Sequence, residues 1–280
     1  MAHSYSTKNI LITGVSSGFG RALAEEALQA GHRVIGTVRN EQDKQAFDAL
    51  SSGHSFGYVL DVTHSNEIPT TIAAIEADVG AIDVLVNNAG YGLEGIVEEV
   101  SLEQIRQQFE VNVFGAISMI QGVLPFMRQR RAGHILNITS MGGIITMAGL
   151  GIYHGSKFAL EGISESLAKE VKGLGIHVTA VEPGGFRTDW AGRSMTRAER
   201  RIGDYDEVFE PLRKRRQEAS GKQLGDPIKA AQAMLKLIAC DNPPMHLLLG
   251  SDAIKLVSDK LALLRQEFSE WDDVSRSTDF

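Results

Sequence analysis

A tyrosine and a lysine four positions apart form the most chemically suggestive pair in this sequence. Tyr153 and Lys157 fall at the start of a predicted helix, where residues separated by four positions lie on one face. An ammonium group beside a phenol stabilises the phenolate, so Lys157 is expected to lower the pKa of Tyr153 and suit it to acid/base catalysis. A Tyr-x-x-x-Lys pair also arises by chance in many proteins, so this interpretation depends on other residues.

Two polar residues upstream of this pair are candidates for the same reaction. Ser140 follows the fifth predicted strand, where its hydroxyl could hold a substrate oxygen beside the phenol of Tyr153. Asn112 falls inside a long apolar helical stretch, and asparagine is a poor residue for a helix interior. Two interpretations of Asn112 stay open. It is either a satisfied buried amide, or the centre of a helix distortion holding a water that joins Lys157 to solvent.

A glycine-rich segment between the first strand and the first helix is a candidate phosphate site. Gly14 permits a tight turn, Gly18 lets the backbone approach a pyrophosphate, and Gly20 allows close packing of helix on strand. The free N–H groups at the helix start, with the positive end of its dipole, attract phosphates. The spacing is Gly-x-x-x-Gly-x-Gly, and such turns also occur without a ligand. The other cofactor candidates in this segment are Ser16, Ser17 and Phe19.

The end of the second predicted strand indicates which dinucleotide binds. Sites selective for NAD place an acid there, whereas Arg39 occupies this position and positions 37 to 40 hold no acid. A guanidinium there would pair with a 2′-phosphate, helped by the hydroxyl of Ser16, so NADP(H) is favoured over NAD(H). The alternative for Arg39 is an exposed solubility residue. Further cofactor candidates at later strand ends are Asp61 and Val62, near the adenine, and Asn88, Ala89 and Gly90, which leave room for the cofactor.

Short apolar, β-branched runs alternate with longer amphipathic stretches along the whole chain. The pattern predicts strands at residues 10–12, 33–38, 56–60, 83–86, 134–138, 177–181 and 246–249. It predicts helices at 19–30, 41–50, 66–79, 102–129, 153–172, 227–240 and 252–268. Seven strands separated by helices indicate an α/β fold with a doubly wound parallel sheet covered on both faces. We expect one domain over residues 1–280, with the irregular segment 186–225 forming a lid over the substrate.

Composition excludes several classes of protein. The formal net charge of −7 argues against nucleic-acid binding. A single cysteine, Cys240, excludes an intramolecular disulfide and a cysteine-based metal site, and it fits a cytoplasmic setting. The polar segment Met1–Lys8 lacks the apolar centre of a signal peptide, and we expect no membrane span. The histidines show no metal-ligand spacing, so no metal is expected, and His154 is expected to lie at the surface beside Tyr153.

In their order and spacing, these residues resemble the short-chain dehydrogenase/reductase family. The motifs are the turn 13–20, Asn88-Ala89-Gly90, Asn112, Ser140, Tyr153, Lys157 and Pro183-Gly184 with Thr188. The resemblance implies a single-domain Rossmann fold with strand order 3-2-1-4-5-6-7. It also implies hydride transfer at the nicotinamide, interconverting a carbonyl and a secondary or primary alcohol. Tyr153 would be the acid/base, Ser140 would orient the substrate oxygen, Lys157 would hold the nicotinamide ribose, and Asn112 would anchor a proton-relay water.

Within this family, the segment from Pro183 to Thr188 is most similar to the 17β-hydroxysteroid and retinol dehydrogenase-like group. Pro183, Gly184, Phe186 and Thr188 would contact the nicotinamide end of the cofactor. The resemblance also implies a homodimer or homotetramer packed through the fourth and fifth helices. A 3-oxoacyl or sugar carbonyl reductase of the same family remains an alternative, as does a non-catalytic NADP(H) sensor. The sensor is disfavoured because the chain keeps its catalytic candidates.

The predicted lid carries ten basic and seven acidic residues between positions 187 and 222. One interpretation is selection of an acidic substrate. The other, which we favour, is a solvated helix face. Tyr91, Trp190 and Met195 could line an apolar pocket near the nicotinamide, or they could be ordinary packing residues.

Overall fold

The computed structural model describes residues 7–280, and within them a twisted parallel sheet forms the centre of the fold. Its seven strands run in the order β3-β2-β1-β4-β6-β7-β9, which confirms the predicted doubly wound topology apart from two extra short strands in the numbering. The strands of the chain are β1 Asn9–Thr13, β2 Arg33–Val38, β3 Ser55–Val59, β4 Val84–Asn87, β5 Gly92–Glu94, β6 Gly133–Ile138, β7 Ile176–Pro183, β8 Met195–Arg197 and β9 His246–Leu249.

Helices cover both faces of this sheet. They are α1 Gly18–Gln29, α2 Glu41–Asp48, α3 Ile68–Asp78, α4 Leu102–Phe109, α5 Ala116–Arg130, α6 Gly151–Val171, α7 Asp206–Ala219, α8 Pro227–Ile238, α9 Ser251–Glu270 and α10 Asp272–Arg276. One core contains Leu23 of α1 and Met234 of α8. The second core, on the other face, contains Ile72 of α3 and Val123 of α5. Burial on both faces explains why the strands are apolar throughout rather than alternating.

The stretch predicted as one helix, Leu102–Gln129, changes its geometry in the middle. A π-helical segment, Glu110–Gly115, joins α4 to α5 and contains Asn112, so the predicted distortion is present. By length and composition alone, the helical stretch Leu102–Arg130 could cross a membrane. The inner face of its second half, however, belongs to the core beside α3 and the sheet, and core helices of this length and composition are common.

Two features of the segment 186–225 were not predicted from sequence. β8 pairs in parallel with β5, with Met195 opposite Gly92 and Arg197 opposite Glu94. Helix α7 follows it and buries Phe209. Its charged sequence and internal Pro211 obscure the helical pattern. The segment is therefore attached to the rest of the fold by a small second sheet made of β5 and β8.

Candidate active site

A cleft of about 1020 Å³ opens at the carboxyl ends of β1, β2, β4, β6 and β7, where open α/β sheets bind their ligands. Nearly all the residues predicted to contact cofactor or substrate line it. These are Gly14, Ser16, Ser17, Gly18, Phe19, Arg39, Asp61, Val62, Asn88, Ala89, Gly90, Ser140, Tyr153, Lys157, Pro183, Gly184, Phe186 and Thr188. Gly20 and Asn112 are absent from this lining and lie behind it, where they support the wall of the cleft.

The glycine-rich turn is held in a conformation that leaves the start of α1 open. Gly14 and Gly18 have φ of 72° and 59°, values that side chains other than glycine rarely adopt. The N–H of Gly14 donates to the Thr37 carbonyl at 3.1 Å, which fixes the turn against β2. Ser17 caps α1 with extended backbone and makes no side-chain capping hydrogen bond within the described residues. The first N–H groups of α1 are thus available to an anion.

Gly20 serves the turn by packing rather than by contact with the cleft. A Cβ on Gly20 would lie 2.2 Å from the Gly14 carbonyl oxygen and 2.5 Å from Asn88 Nδ2. Asn88 Nδ2 donates to the carbonyls of Thr13 and Gly14 at 2.9 and 3.0 Å. Thr13 Oγ1 in turn accepts from the N–H groups of Asn88 and Ala89. The ends of β1 and β4 are therefore locked together under the turn.

Arg39, Asp43 and Asp61 line the end of the cleft that lies beside β2 and β3. Arg39 follows β2 and is exposed. Partial burial raises the pKa of Asp61, but hydrogen bonds from the Thr63 N–H and hydroxyl outweigh it and leave that pKa below its usual value. Asp43 also lines this end and accepts from Asn40 Nδ2 at 2.9 Å. The acids are already bound by neighbouring donors, so Arg39 is the group best placed to meet an added phosphate.

Tyr153 lies in the first turn of α6 and is only 5% exposed. Its hydroxyl is hydrogen-bonded to the Ser140 side chain, and burial raises the pKa of Tyr153 to about 12 against the opposing effect of that hydrogen bond. Ser140 Oγ also accepts from the Gly142 N–H at 2.9 Å. The phenol is thus protonated at neutral pH and sits beside a second hydroxyl, an arrangement suited to proton donation.

Lys157 lies beside the ring of Tyr153 and is bound to the backbone of β6. Its Nζ donates to the Ile138 carbonyl at 2.8 Å and lies 5.9 Å from the centre of the Tyr153 ring. Burial lowers the pKa of Lys157 to about 8, opposed by the negative charge of Glu161. The net pKa of Tyr153 is therefore raised and not lowered as expected, because burial of the phenol is the largest influence on it.

Asn112 is a buried amide whose oxygen and nitrogen are hydrogen-bonded. It also lies in the helix distortion that the other interpretation predicted. Within the π-helical segment its Nδ2 donates to the Tyr91 carbonyl and to Ser156 Oγ, each at 3.1 Å. Its Oδ1 accepts from the Tyr91 N–H at 3.1 Å. A Cβ on Gly90 would lie 3.1 Å from Asn112 Oδ1 and 3.7 Å from Lys157 Nζ. Asn112 therefore clamps the loop after β4 close to the lysine.

His154 is a supporting residue that the sequence interpretation placed wrongly at the surface. It is 3% exposed. Its Nδ1 lies 2.8 Å from the Gly142 carbonyl, and its Nε2 accepts from the Met147 N–H at 3.0 Å. Burial lowers its pKa, so it is neutral and holds the loop that carries Ser140. Only its position beside Tyr153 hinted at this role.

Apolar side chains surround the phenol on the lid side. The ring of Trp190 is centred 5.1 Å from that of Tyr153. Both Trp190 and Met195 press on Gly92, where a Cβ would lie within 3 Å of either side chain. Tyr91 and Leu150 also line the cleft. Tyr91, Trp190 and Met195 thus line the same cleft, while Trp190 and Met195 also act as packing residues, so each of the two interpretations of the sequence holds in part.

Several arginines of the segment 186–225 pair with buried carboxylates, whereas Arg193 and Lys214 stay exposed, so the expected solvated helix face is confirmed only in part. Glu94 of β5 is 2% exposed and accepts from Arg197 Nε at 3.0 Å and Arg216 Nε at 2.7 Å. Buried Glu99 is paired with Arg200. Sequence reasoning missed both glutamates because their partners lie about a hundred positions away along the chain. These ion pairs fasten the segment over the phenol.

Comparison with known proteins agrees with this geometry. A family model described as short chain dehydrogenase matches residues 8–199. The 3-ketodihydrosphingosine reductase of Bacteroides thetaiotaomicron is 37% identical over 244 residues, covering 86% of this chain and 87% of that protein. A short-chain dehydrogenase structure from Streptomyces avermitilis superposes with a TM-score of 0.91 at 41% identity, covering both chains fully. A structure of ElxO with NADP bound has a TM-score of 0.72 at 27% identity, covering 87% of this chain and 96% of that one.

This chain belongs to the short-chain dehydrogenase/reductase family. It is an oxidoreductase of that family with a dinucleotide-binding fold.

Proposed function

We propose that the protein is an NADP(H)-dependent oxidoreductase that interconverts an apolar ketone or aldehyde with its alcohol, using Tyr153 as the acid/base. The observation that carries the proposal is the buried, protonated Tyr153 hydroxyl, hydrogen-bonded to Ser140 in the same cleft as the glycine-rich turn. A proton donor is what a carbonyl oxygen needs as it gains negative charge. The neutral phenol is therefore in the form that donates a proton during carbonyl reduction.

The residues of the turn fit a dinucleotide. Gly14, Gly18 and Gly20 leave a cradle that side chains would fill or strain, and the start of α1 offers N–H groups to a pyrophosphate. Arg39 supports a 2′-phosphate and hence NADP(H) over NAD(H). When bound, the reduced nicotinamide supplies a hydride to the substrate.

The chain's own residues would then complete the reduction. Tyr153 gives its hydroxyl proton to the substrate oxygen while Ser140 donates a hydrogen bond to the same atom. Lys157, whose pKa of about 8 keeps it largely protonated at neutral pH, stabilises the phenolate that remains. His154 and Asn112 hold the two loops that frame this group.

The walls beside Tyr153 support an apolar substrate. Trp190, Met195 and Leu150 present hydrocarbon and aromatic surface to the cleft, and such surface binds apolar groups by excluding water. Three arginines of the segment 186–225 line the cleft, and all are ion-paired: Arg197 and Arg216 with Glu94, and Arg193 with Asp189. The relative named as a 3-ketodihydrosphingosine reductase acts on a ketone, which is consistent with this class.

The test is the initial rate of NADPH and NADH oxidation across a panel of carbonyl compounds. The panel contains quinones, steroids, retinoids, simple aldehydes, 3-oxoacyl thioesters and sugars. We expect an apolar ketone or aldehyde to be the best substrate, with NADPH preferred by at least about tenfold because one charged hydrogen-bonded contact distinguishes the cofactors. Preference for sugars or thioesters would contradict the substrate class. Tight NADPH binding with no turnover of any carbonyl would support a sensor instead.

A further inference from the structure

Three side chains with metal-binding atoms meet on the sheet side of α6, outside the cleft. Glu161 comes from α6, Glu182 from β7 and His246 from β9. One donor atom of each lies within 4.8 Å of the other two. His246 Nδ1 is 2.6 Å from Glu182 Oε1 and 3.8 Å from Glu161 Oε2. None of these residues has a part in the proposed reaction.

The two carboxylates are buried without enough donors. Glu161 is 5% exposed and Glu182 is fully buried. Within the described residues, both oxygens of Glu161 and Oε2 of Glu182 lack a hydrogen-bond partner. Burial raises the pKa of Glu161 to about 7, and the nearby Thr139 hydroxyl opposes this rise, but that hydroxyl donates its proton to the Val181 carbonyl at 2.9 Å. Unpaired buried carboxylates are costly, whereas a cation placed between them satisfies their oxygens.

We propose that Glu161, Glu182 and His246 bind a divalent transition-metal ion. On binding, the ion takes the place of the proton shared by His246 Nδ1 and Glu182 Oε1, and that proton passes to solvent. Two carboxylates with one imidazole suit Zn²⁺ or Mn²⁺, whereas Mg²⁺ and Ca²⁺ prefer oxygen ligands alone.

The site has an access route from solvent. The His246 side chain is 43% exposed, and its Nε2 lies 3.8 Å from the exposed carboxylate of Glu165. Glu165 could guide an arriving cation and hold the imidazole from outside. The ion would join α6 to β7 and β9, one helical turn beyond Lys157. The ion would hold α6, which carries Tyr153 and Lys157, against the sheet. Its role would be to position this helix, since the site lies outside the cleft that holds substrate and cofactor.

The experiment measures metal content and thermal stability of the untagged, full-length protein at pH 8. The protein is stripped with a chelator and titrated separately with Zn²⁺, Mn²⁺ and Mg²⁺. We expect one bound Zn²⁺ or Mn²⁺ per chain after dialysis, and a rise in Tm of about 5 °C at a hundredfold excess over Kd. Mg²⁺ at the same concentration should give no rise.

Two variants separate this site from adventitious binding. His246→Ala removes a half-exposed ligand and should fold, but it should lose both the bound metal and the rise in Tm. His64→Ala is the matched control, because His64 pairs with Glu67 at 3.5 Å on the exposed surface, and it should behave as the wild type. The proposal fails if the wild type retains no metal, or if His246→Ala keeps the metal and the stabilisation. Those results would assign the cluster to a shared proton or to binding elsewhere.

Discussion

Glu94 is the residue whose removal should most clearly show how the segment 186–225 is held. Its carboxylate is buried and accepts from Arg197 of β8 and Arg216 of α7, while Arg213 Nε lies 4.0 Å away. Glu94→Gln keeps the shape of the side chain and removes the charge. The two arginines keep only the amide oxygen as a shared acceptor, so β8 and α7 lose their common anchor on β5.

The magnitude follows from burial. Breaking a buried ion pair by removing one partner costs about 3–5 kcal/mol. The Arg197 and Arg216 side chains are 27% and 19% exposed and can recover some water. We therefore take the lower end, a loss of about 3 kcal/mol in the free energy of unfolding. Because Trp190 and Met195 on the same segment pack near Tyr153, the KM for the carbonyl substrate should rise, while the Kd for NADPH changes little.

Urea unfolding and steady-state kinetics measure both effects. Glu210→Gln is the matched control, because Glu210 is half exposed, lies 3.2 Å from Arg200 Nε and belongs to α7. Exposed pairs contribute about 1 kcal/mol or less, so this variant should stay close to the wild type. If Glu94→Gln unfolds within about 0.5 kcal/mol of the wild type and its KM is unchanged, the ion pairs do not hold the segment.

Three further predictions test other parts of the account. Gly20→Ala should abolish NADPH binding in a fluorescence titration, because its Cβ would meet the Gly14 carbonyl at 2.2 Å. Gly162→Ala should bind normally, since none of the described residues beyond its own neighbours in α6 has an atom within 4 Å of the added Cβ. Arg39→Asp should reverse the cofactor preference in kcat/KM toward NADH; unchanged preference would remove Arg39 from the site. Burial lowers the pKa of His134 to about 3, so below pH 6.5 the unfolded chain binds a proton that the folded chain does not. Through His134 alone, stability should therefore fall by up to about 2 kcal/mol between pH 6.5 and pH 5, and urea unfolding of His134→Gln should lack this part of the loss.

Strands and helix ends that depend on a short run of neighbouring residues could be predicted from the sequence. The strands Arg33–Val38 and His246–Leu249 lie where they are predicted to the residue, because each is a short apolar run between polar or turn residues. Asp226 and Pro227 begin α8 as predicted, by capping and by the fixed φ of proline. Asn112 was recognised because its amide is unsuited to a regular helix, and the helix is π-helical there.

Contacts between residues that are far apart along the chain could not be predicted from the sequence. Glu94 and Arg216 are 122 positions apart, and no pattern near either one indicates its partner. Glu161, Glu182 and His246 meet only because α6 packs on β7 and β9 pairs with β7. The predicted direction of the Tyr153 pKa shift was wrong for the same reason, since it is burial by the surrounding chain that raises this pKa.

The most direct test of the central claim is the single-turnover rate of carbonyl reduction by Tyr153→Phe. The variant removes one oxygen from a buried ring, so NADPH affinity and Tm should stay near the wild-type values, and both serve as controls. We expect the rate to fall by about 10²–10⁴-fold, the usual contribution of a positioned proton donor. A variant that binds NADPH normally and keeps more than about a tenth of the wild-type rate would show that Tyr153 is not the acid.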